Sequence, residues 1–254
     1  MAHLDETGWR EGRTRAWLWV AVTAWVTVFV VRPSRGAKVA QALLGERFCG
    51  ILLTDRWSAY TWYPTRGRQV CWAHLLRDFE AMIERGGRSQ ELGEGLREQA
   101  RQMFHAWHRG RDGHCTHAQF RVTMRPIRRA VARLLKAGQT CGLAKTQGVC
   151  REVLKVYDAL WTFVRVAGVE PTNNAAERAI RPGVLWRKGS FGTQSAPGSR
   201  FVEAMMTVVA TLRQQHRNVL AYLTQACQAA YTGEPAPSLL PARSESHAQR
   251  SAVA

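Results

Sequence analysis

The chain has 254 residues, 46% of them apolar, with 36 Lys and Arg against 19 Asp and Glu, a formal net charge of +17. That apolar fraction excludes a disordered chain, and the length supplies a substantial core for one large domain or two small ones. Beyond simple solubility, the cationic excess selects a polyanionic partner, nucleic acid ahead of an anionic membrane.

The first 75 residues alternate strands and helices. His3 to Thr7 reads as a short strand with Asp5 near its end. Ala16 to Val31 is an uncharged run of 16 residues between Arg15 and Arg32, short of the roughly 20 apolar residues a membrane-spanning helix needs. Its Val, Thr and Trp favour strands, and it divides at Thr23-Ala24 into a meander of Trp17 to Val22 and Trp25 to Val31. Gly36 to Leu44 is expected to be helical, Gly50 to Thr54 a strand covered on both faces, and Gln69 to Trp72 a further short strand. The first residues are polar and acidic, unlike a signal peptide. A cytoplasmic protein follows, with its six cysteines mostly reduced.

From His74 to about Val166 the texture becomes helical. Leu96, Ala100, Met103, Phe104 and Trp107 keep helical spacing, as do Ile127, Val131, Leu134 and Leu135, and then Val149, Val153, Val156, Tyr157, Leu160 and Val164. The second of these helices bears Arg121, Arg125, Arg128, Arg129, Arg133 and Lys136, as either a DNA-facing surface or a solvated face. Pro171 opens a new unit that ends at Pro182, and a Gly- and Ser-rich loop follows. A helix then presents Phe201, Met205, Val208 and Leu212 on one face, and another runs from about Val219 to Tyr231. Residues 232–254 read as a disordered tail.

In so basic a chain, three acids stand out. Asp5 ends the first strand, Asp55 follows the apolar strand GILLT, and Glu177 lies on the helix after Pro171. Hard divalent cations prefer carboxylate oxygens, and a pair of them serves phosphodiester chemistry by activating a nucleophile and stabilising the departing oxygen. Each acid also has a plain structural use. Asp5 suits a strand-end turn, and Asp55 suits a helix N-cap before Trp57 to Tyr60. Glu177 suits a capping box with Asn174. Glu6 is an alternative to Asp5, but strand alternation allows only one of them to face a site.

The stretches LDETGWR, LLTDRWSAY, CWAHLLRDF and PTNNAAERAIRPGVLWRKGSFGTQSAPGSR resemble, in order, the transposases of the insertion-sequence-66 family. The likeness covers roughly residues 1 to 231. It implies a DDE transposase catalytic domain with an α/β, ribonuclease-H-like mixed sheet flanked by helices. In that frame residues 1–75 and 169–231 form the catalytic core, and residues 76–168 form a helical insertion before the helix carrying the third acid. It further implies that Asp5, Asp55 and Glu177 are the catalytic acids and hold two Mg²⁺ or Mn²⁺ ions. Those ions would serve DNA strand cleavage and then strand transfer between transposon ends and target, by a protein that often acts as a homo-oligomer.

Around these acids, His74, Asn173, Arg178, Arg181, Arg187 and Lys188 are candidate nucleic-acid contacts. Arg178 and Arg181 share a helix face. Trp57, Trp62 and Trp186 are candidates for stacking on unpaired bases. Cys71 and His74 make half of a zinc-ligand spacing, and His105, His108, His114, Cys115 and His117 offer further ligands, but zinc is not expected. Arg56 stands beside Asp55 where the family commonly has glycine, which is expected to add a cation near the ions. The family's helix-turn-helix and zinc-binding regions precede the first catalytic strand, whereas here Asp5 lies four residues after Met1. The chain is therefore expected to be a truncated copy lacking end recognition. A non-catalytic DNA-binding remnant and a metal-dependent nuclease without strand transfer are the alternatives.

Overall fold

The computed structural model describes residues 1–241. It contains a mixed five-stranded sheet in the order β3-β2-β1-β4-β5 and, among the described residues, nine α-helices. The chain divides into two compact units. The first holds residues 1–52, 57–62 and 174 onward, and the second holds residues 53–56 and 63–173.

The first unit is built on an antiparallel meander of β1 (Ala2–Glu11), β2 (Thr14–Val22) and β3 (Thr27–Arg32). β1 runs four residues beyond the expected Thr7, because its pairing with β2 continues to Glu11 opposite Thr14. The tip residues are polar, so no hydrophobic period announces them. The break between β2 and β3 falls where Thr23 makes a turn. Its backbone N–H donates to the Val26 carbonyl at 2.9 Å, and its hydroxyl accepts from the Val26 N–H at 3.1 Å. α1 (Ala37–Leu44) follows as expected.

α7 (Asn174–Ser190) and α8 (Ala196–Gln214) pack on the meander. α7 buries Ala176, Ile180 and Gly183, one helical stripe, against Leu18, Val20, Phe29 and Trp9. The stripe continues past Pro182, so the helix does not stop there as expected. Pro182 forfeits one backbone hydrogen bond, and burial on both sides of it holds the remaining turns. Gly183 sets the approach, since a Cβ there would meet Leu18 Cδ2 at 2.3 Å.

β3 is the edge of the sheet, and α8 covers it with polar side chains. The N–H groups of Thr27, Phe29 and Val31 donate to Thr211 Oγ1 (3.1 Å), Thr207 Oγ1 (2.9 Å) and Glu203 Oε1 (2.5 Å). Acceptors four residues apart on a helix thus match alternate residues of a strand, which protects an edge from pairing with another chain. This ladder rotates α8 away from the expected stripe. Val202 and Leu212 are buried, with Met206 partly so, while Phe201 stands 62% exposed.

α9 (Val219–Thr232) completes the unit. Of the expected tail, residues 242–254 lie outside the described residues. The carbonyls of Pro237, Ser238 and Leu239 accept from Tyr222, Arg217 and Gln215.

The second unit is mainly helical, with α2 (Trp72–Ile83), α3 (Gly87–Arg111), α4 (His117–Gly138), α5 (Ala144–Lys155) and α6 (Thr162–Arg165). Leu92, Leu96, Ala100 and Met103 of α3, Phe79 and Met82 of α2 and Met124, Val131 and Leu135 of α4 are buried, and α3 packs against both α2 and α4. β4 (Leu52–Thr54) ends in this unit and β5 (Arg68–Val70) lies within it. Trp72, expected to close a strand, instead opens α2. On α4, Arg121, Arg125, Arg129, Arg133 and Lys136 are exposed, whereas Arg128 lies over the Trp161 ring. Among the described residues, no helix is long and apolar enough to cross a membrane.

Candidate functional site

The register of the meander decides which of two adjacent acids faces which way. Asp5 is opposite Val20 and Glu6 is opposite Trp19. Directly opposed residues of an antiparallel pair project to the same face. Val20 belongs to the cluster formed with Ala176 and Ile180 of α7, so Asp5 lies on the face that α7 covers. Glu6 points to the opposite face, where its side chain is 1% exposed. There it pairs with Arg35 at 2.8 Å and accepts a hydrogen bond from the Tyr60 hydroxyl. Glu6 is therefore a structural ion-pair residue, and Asp5 is the half-buried acid on the α7 side. Asp5 Oδ1 accepts from the Glu6 backbone N–H at 2.8 Å.

Glu177 lies in the first turn of α7, immediately after Ala176, which is buried on the sheet. An acid there is favoured by the positive end of the helix dipole. Asn174 is the first residue of the helix rather than a flanking cap. Within the first unit, then, the fold brings Asp5 and the helix bearing Glu177 to one side of the sheet. Asn174, Glu177, Arg178, Arg181 and Lys188 line one groove along α7, together with Val184 and Leu185. Arg187 points away from it, into a second groove with Arg10, Arg13 and Arg15 of the β1–β2 hairpin, and Lys188 borders both. The expected group of four cations is thus divided between two surfaces.

In the second unit, Asp55 follows β4 directly. It does not cap the helical turn Ser58–Tyr60, whose cap is Trp57 without a side-chain hydrogen bond. The backbone at Asp55 is held by a residue the sequence reading passed over. Arg68 is 1% exposed, donates from Nε to Thr54 Oγ1 at 3.0 Å, and donates from Nη2 to the Asp55 carbonyl at 2.7 Å. Thr54 Oγ1 donates to the same carbonyl at 2.8 Å. A buried arginine three residues before a buried cysteine carries no periodic signal, which is why spacing alone missed it. Arg56 is paired with Asp78 on α2.

His74 lies half-buried in the first turn of α2, and Cys71, buried, is that helix's N-cap position. Asn173 is 2% exposed, and its backbone N–H donates to Cys71 Sγ at 3.2 Å. Among the described residues, His105, His108, His114, Cys115 and His117 do not gather into a three-ligand cluster. The three stacking candidates are similarly exposed, and each has a partner. Trp57 is covered by the Arg35 guanidinium 4.0 Å above its ring and donates to the Arg35 carbonyl, and Trp62 donates to the Ala59 carbonyl. Trp186 leans on buried Trp9 with ring centroids 6.4 Å apart and remains 40% exposed.

A protein of Sinorhizobium fredii (strain NBRC 101917 / NGR234), described as the uncharacterized protein y4qI, is 28% identical over 258 aligned positions. The match covers 89% of this chain and 46% of that protein, so the chain spans about half the length of this relative. No solved structure matches. The family described as "Transposase IS66 family" matches residues 1–200, a span that includes Asp5, Asp55, the whole helical unit and Glu177, and the chain therefore belongs to the IS66 family of transposases.

Proposed function

We propose that this chain is a DDE-type transposase catalytic domain of ribonuclease-H-like fold, in which Asp5, Asp55 and Glu177 together hold divalent metal for DNA strand cleavage and strand transfer. Family membership supports the transposase function and DNA as the partner. The observation that carries the catalytic reading is the register of β1. Asp5 shares its face of the sheet with the helix that bears Glu177, while neighbouring Glu6 is committed to an ion pair on the other face. The sheet order supports the third member, because β4, which Asp55 follows, is the next strand to β1.

The donor set fits the ions. Carboxylate oxygens are hard ligands suited to Mg²⁺ and Mn²⁺, and no thiolate is required among them. When bound, two such ions supply an activated oxygen nucleophile and stabilise the departing oxygen. The chain's residues do the rest. The three carboxylates fix where charge collects, and Arg68 holds the Asp55 backbone. Arg178, Arg181 and Lys188, flanking Glu177 on α7, neutralise backbone phosphates that three acids would otherwise repel.

The test is nicking of supercoiled plasmid in Mg²⁺ or Mn²⁺, followed by joining of a labelled duplex with a free 3′-hydroxyl. Metal-dependent nicking and joining, both lost in Asp55→Asn and in Glu177→Gln, are the expected result. Cutting without joining makes the protein a nuclease. DNA binding without cutting, unchanged by Asp55→Asn, makes it a non-catalytic remnant. Either outcome overturns the proposal.

A further inference from the structure

The groove at the tip of the β1–β2 hairpin is built differently from the groove beside Glu177. It has a volume of about 570 Å³ and is lined by Arg10, Arg13, Arg15, Arg187, Lys188 and Phe191, together with Gly8 and Trp9. Five cations border it and no acid does. Among the described residues, none of the five makes an ion pair, although most of the protein's exposed arginine pairs lie elsewhere on helix surfaces. Arg15 instead lies over the Trp17 ring, 4.9 Å from its centroid.

The aromatic wall of this groove is held open by the backbone. Phe191 is 72% exposed and adopts φ 62°, a left-handed conformation uncommon for a bulky residue. The loop carrying it is fastened to the hairpin. The Thr193 N–H donates to the Arg10 carbonyl at 2.9 Å, and the Gly12 N–H donates to the Thr193 carbonyl at 2.7 Å. The indole of Trp9 donates to Thr193 Oγ1 at 3.2 Å. Gly192 permits the contact, since a Cβ there would stand 2.3 Å from the Arg10 carbonyl oxygen. A large phenyl ring is thus displayed to solvent on a pinned, strained loop, next to five unpaired cations. Strain of this kind persists only where the surroundings impose it.

Cations alone would suit any phosphate backbone. A displayed ring adds a flat apolar face that a closed duplex, with its bases stacked inside, does not meet. Unpaired bases do meet it, and a basic groove combined with an aromatic platform is the physical recipe for single-strand binding. We infer that this groove binds single-stranded DNA, with Arg10, Arg13, Arg15, Arg187 and Lys188 along the phosphates and Phe191 stacked on a base. The inference rests on the proposed function only for the polymer being DNA.

The experiment is fluorescence anisotropy of a labelled 12-nucleotide oligothymidylate and of a duplex of equal length, in EDTA, so that metal binding at the carboxylates plays no part. Phe191→Ala is expected to weaken single-strand binding about tenfold and to leave duplex binding within about twofold. Phe191→Trp is expected to retain single-strand binding. Arg13→Glu with Arg15→Glu is expected to weaken both ligands and to flatten the salt dependence. Thermal melts of each variant separate lost binding from lost fold. Equal effects of Phe191→Ala on both ligands, no effect on the single strand, or no oligonucleotide binding by the wild type overturns the inference. Plasmid nicking separates the two readings. A protein that nicks but shows no Phe191-dependent binding defeats only this inference, and one that binds through Phe191 but never nicks defeats only the catalytic reading.

Discussion

Asp5 and Glu6 are neighbours of the same charge with opposite fates, and the difference is strand alternation. Glu6 is buried against Arg35 and Tyr60, so removing its carboxylate strands a partly buried guanidinium. Glu6→Ala is expected to lower stability by about 3 kcal/mol in urea denaturation. Asp5→Asn is expected to leave the unfolding midpoint close to wild type and to abolish nicking by at least about 10²-fold. The sequence showed that only one of the pair could face a site, but the choice needed the register with β2, a long-range fact. Cysteine reactivity sorts by the same logic of burial. Cys150 is fully buried, and desolvation, with Cys141 nearby, pushes its thiol up to about 11. Cys49 and Cys227 are exposed. Iodoacetamide at pH 8 is therefore expected to label Cys49 and Cys227 in the native protein, and Cys150 only after denaturant is added, as peptide mass mapping would show.

The elements show where periodicity speaks and where it is silent. β2, β3, α1, α3 and α4 were legible because their apolar residues repeat at the period of the element that buries them, whereas the expected helical run from Val149 to Val164 breaks at Val156 into α5, a 3-10 turn over Tyr157–Trp161 and α6. The hairpin tip of β1 was not, because Arg10, Glu11 and Arg13 are polar and their pairing is fixed by backbone alone. α7 outran Pro182 because tertiary burial of Ile180 and Gly183 outweighs one missing hydrogen bond. α8 was legible as a helix but not in its rotation, since Glu203, Thr207 and Thr211 face an edge strand that only the folded sheet provides. That ladder has a measurable cost of removal. Thr211 both accepts from the Thr27 N–H and donates to the Thr27 carbonyl. Thr211→Val leaves both unmatched in a buried place and is expected to cost about 1–3 kcal/mol, with faster amide exchange at Thr27 than at Phe29.

Across the whole chain the net charge is +17, and cations line grooves on α7 and on the β1–β2 hairpin and stand exposed along α4. Composition made a polyanionic partner legible, and the family match is to transposases, which supports the proposal that this partner is DNA. How that charge divides between two grooves was invisible in sequence, because the hairpin groove that takes Arg187, and that Lys188 shares with the groove along α7, forms only when the β1–β2 tip folds beside α7. Binding dominated by these contacts is expected to weaken about 10³-fold or more between 50 and 200 mM salt, read by the same anisotropy titration at stepped ionic strength. A binding constant insensitive to salt would mean that the grooves do not contact phosphates.

Asp5, Asp55 and Glu177, separated by 50 and 122 positions in sequence, are proposed to act as one metal-binding set. Mn²⁺ titration followed by electron paramagnetic resonance measures this without DNA or turnover. The wild-type protein is expected to bind two Mn²⁺ ions, and Asp5→Asn, Asp55→Asn and Glu177→Gln are each expected to lose at least one of them while Glu6→Gln keeps both. Mn²⁺ binding that survives all three substitutions unchanged would contradict the account.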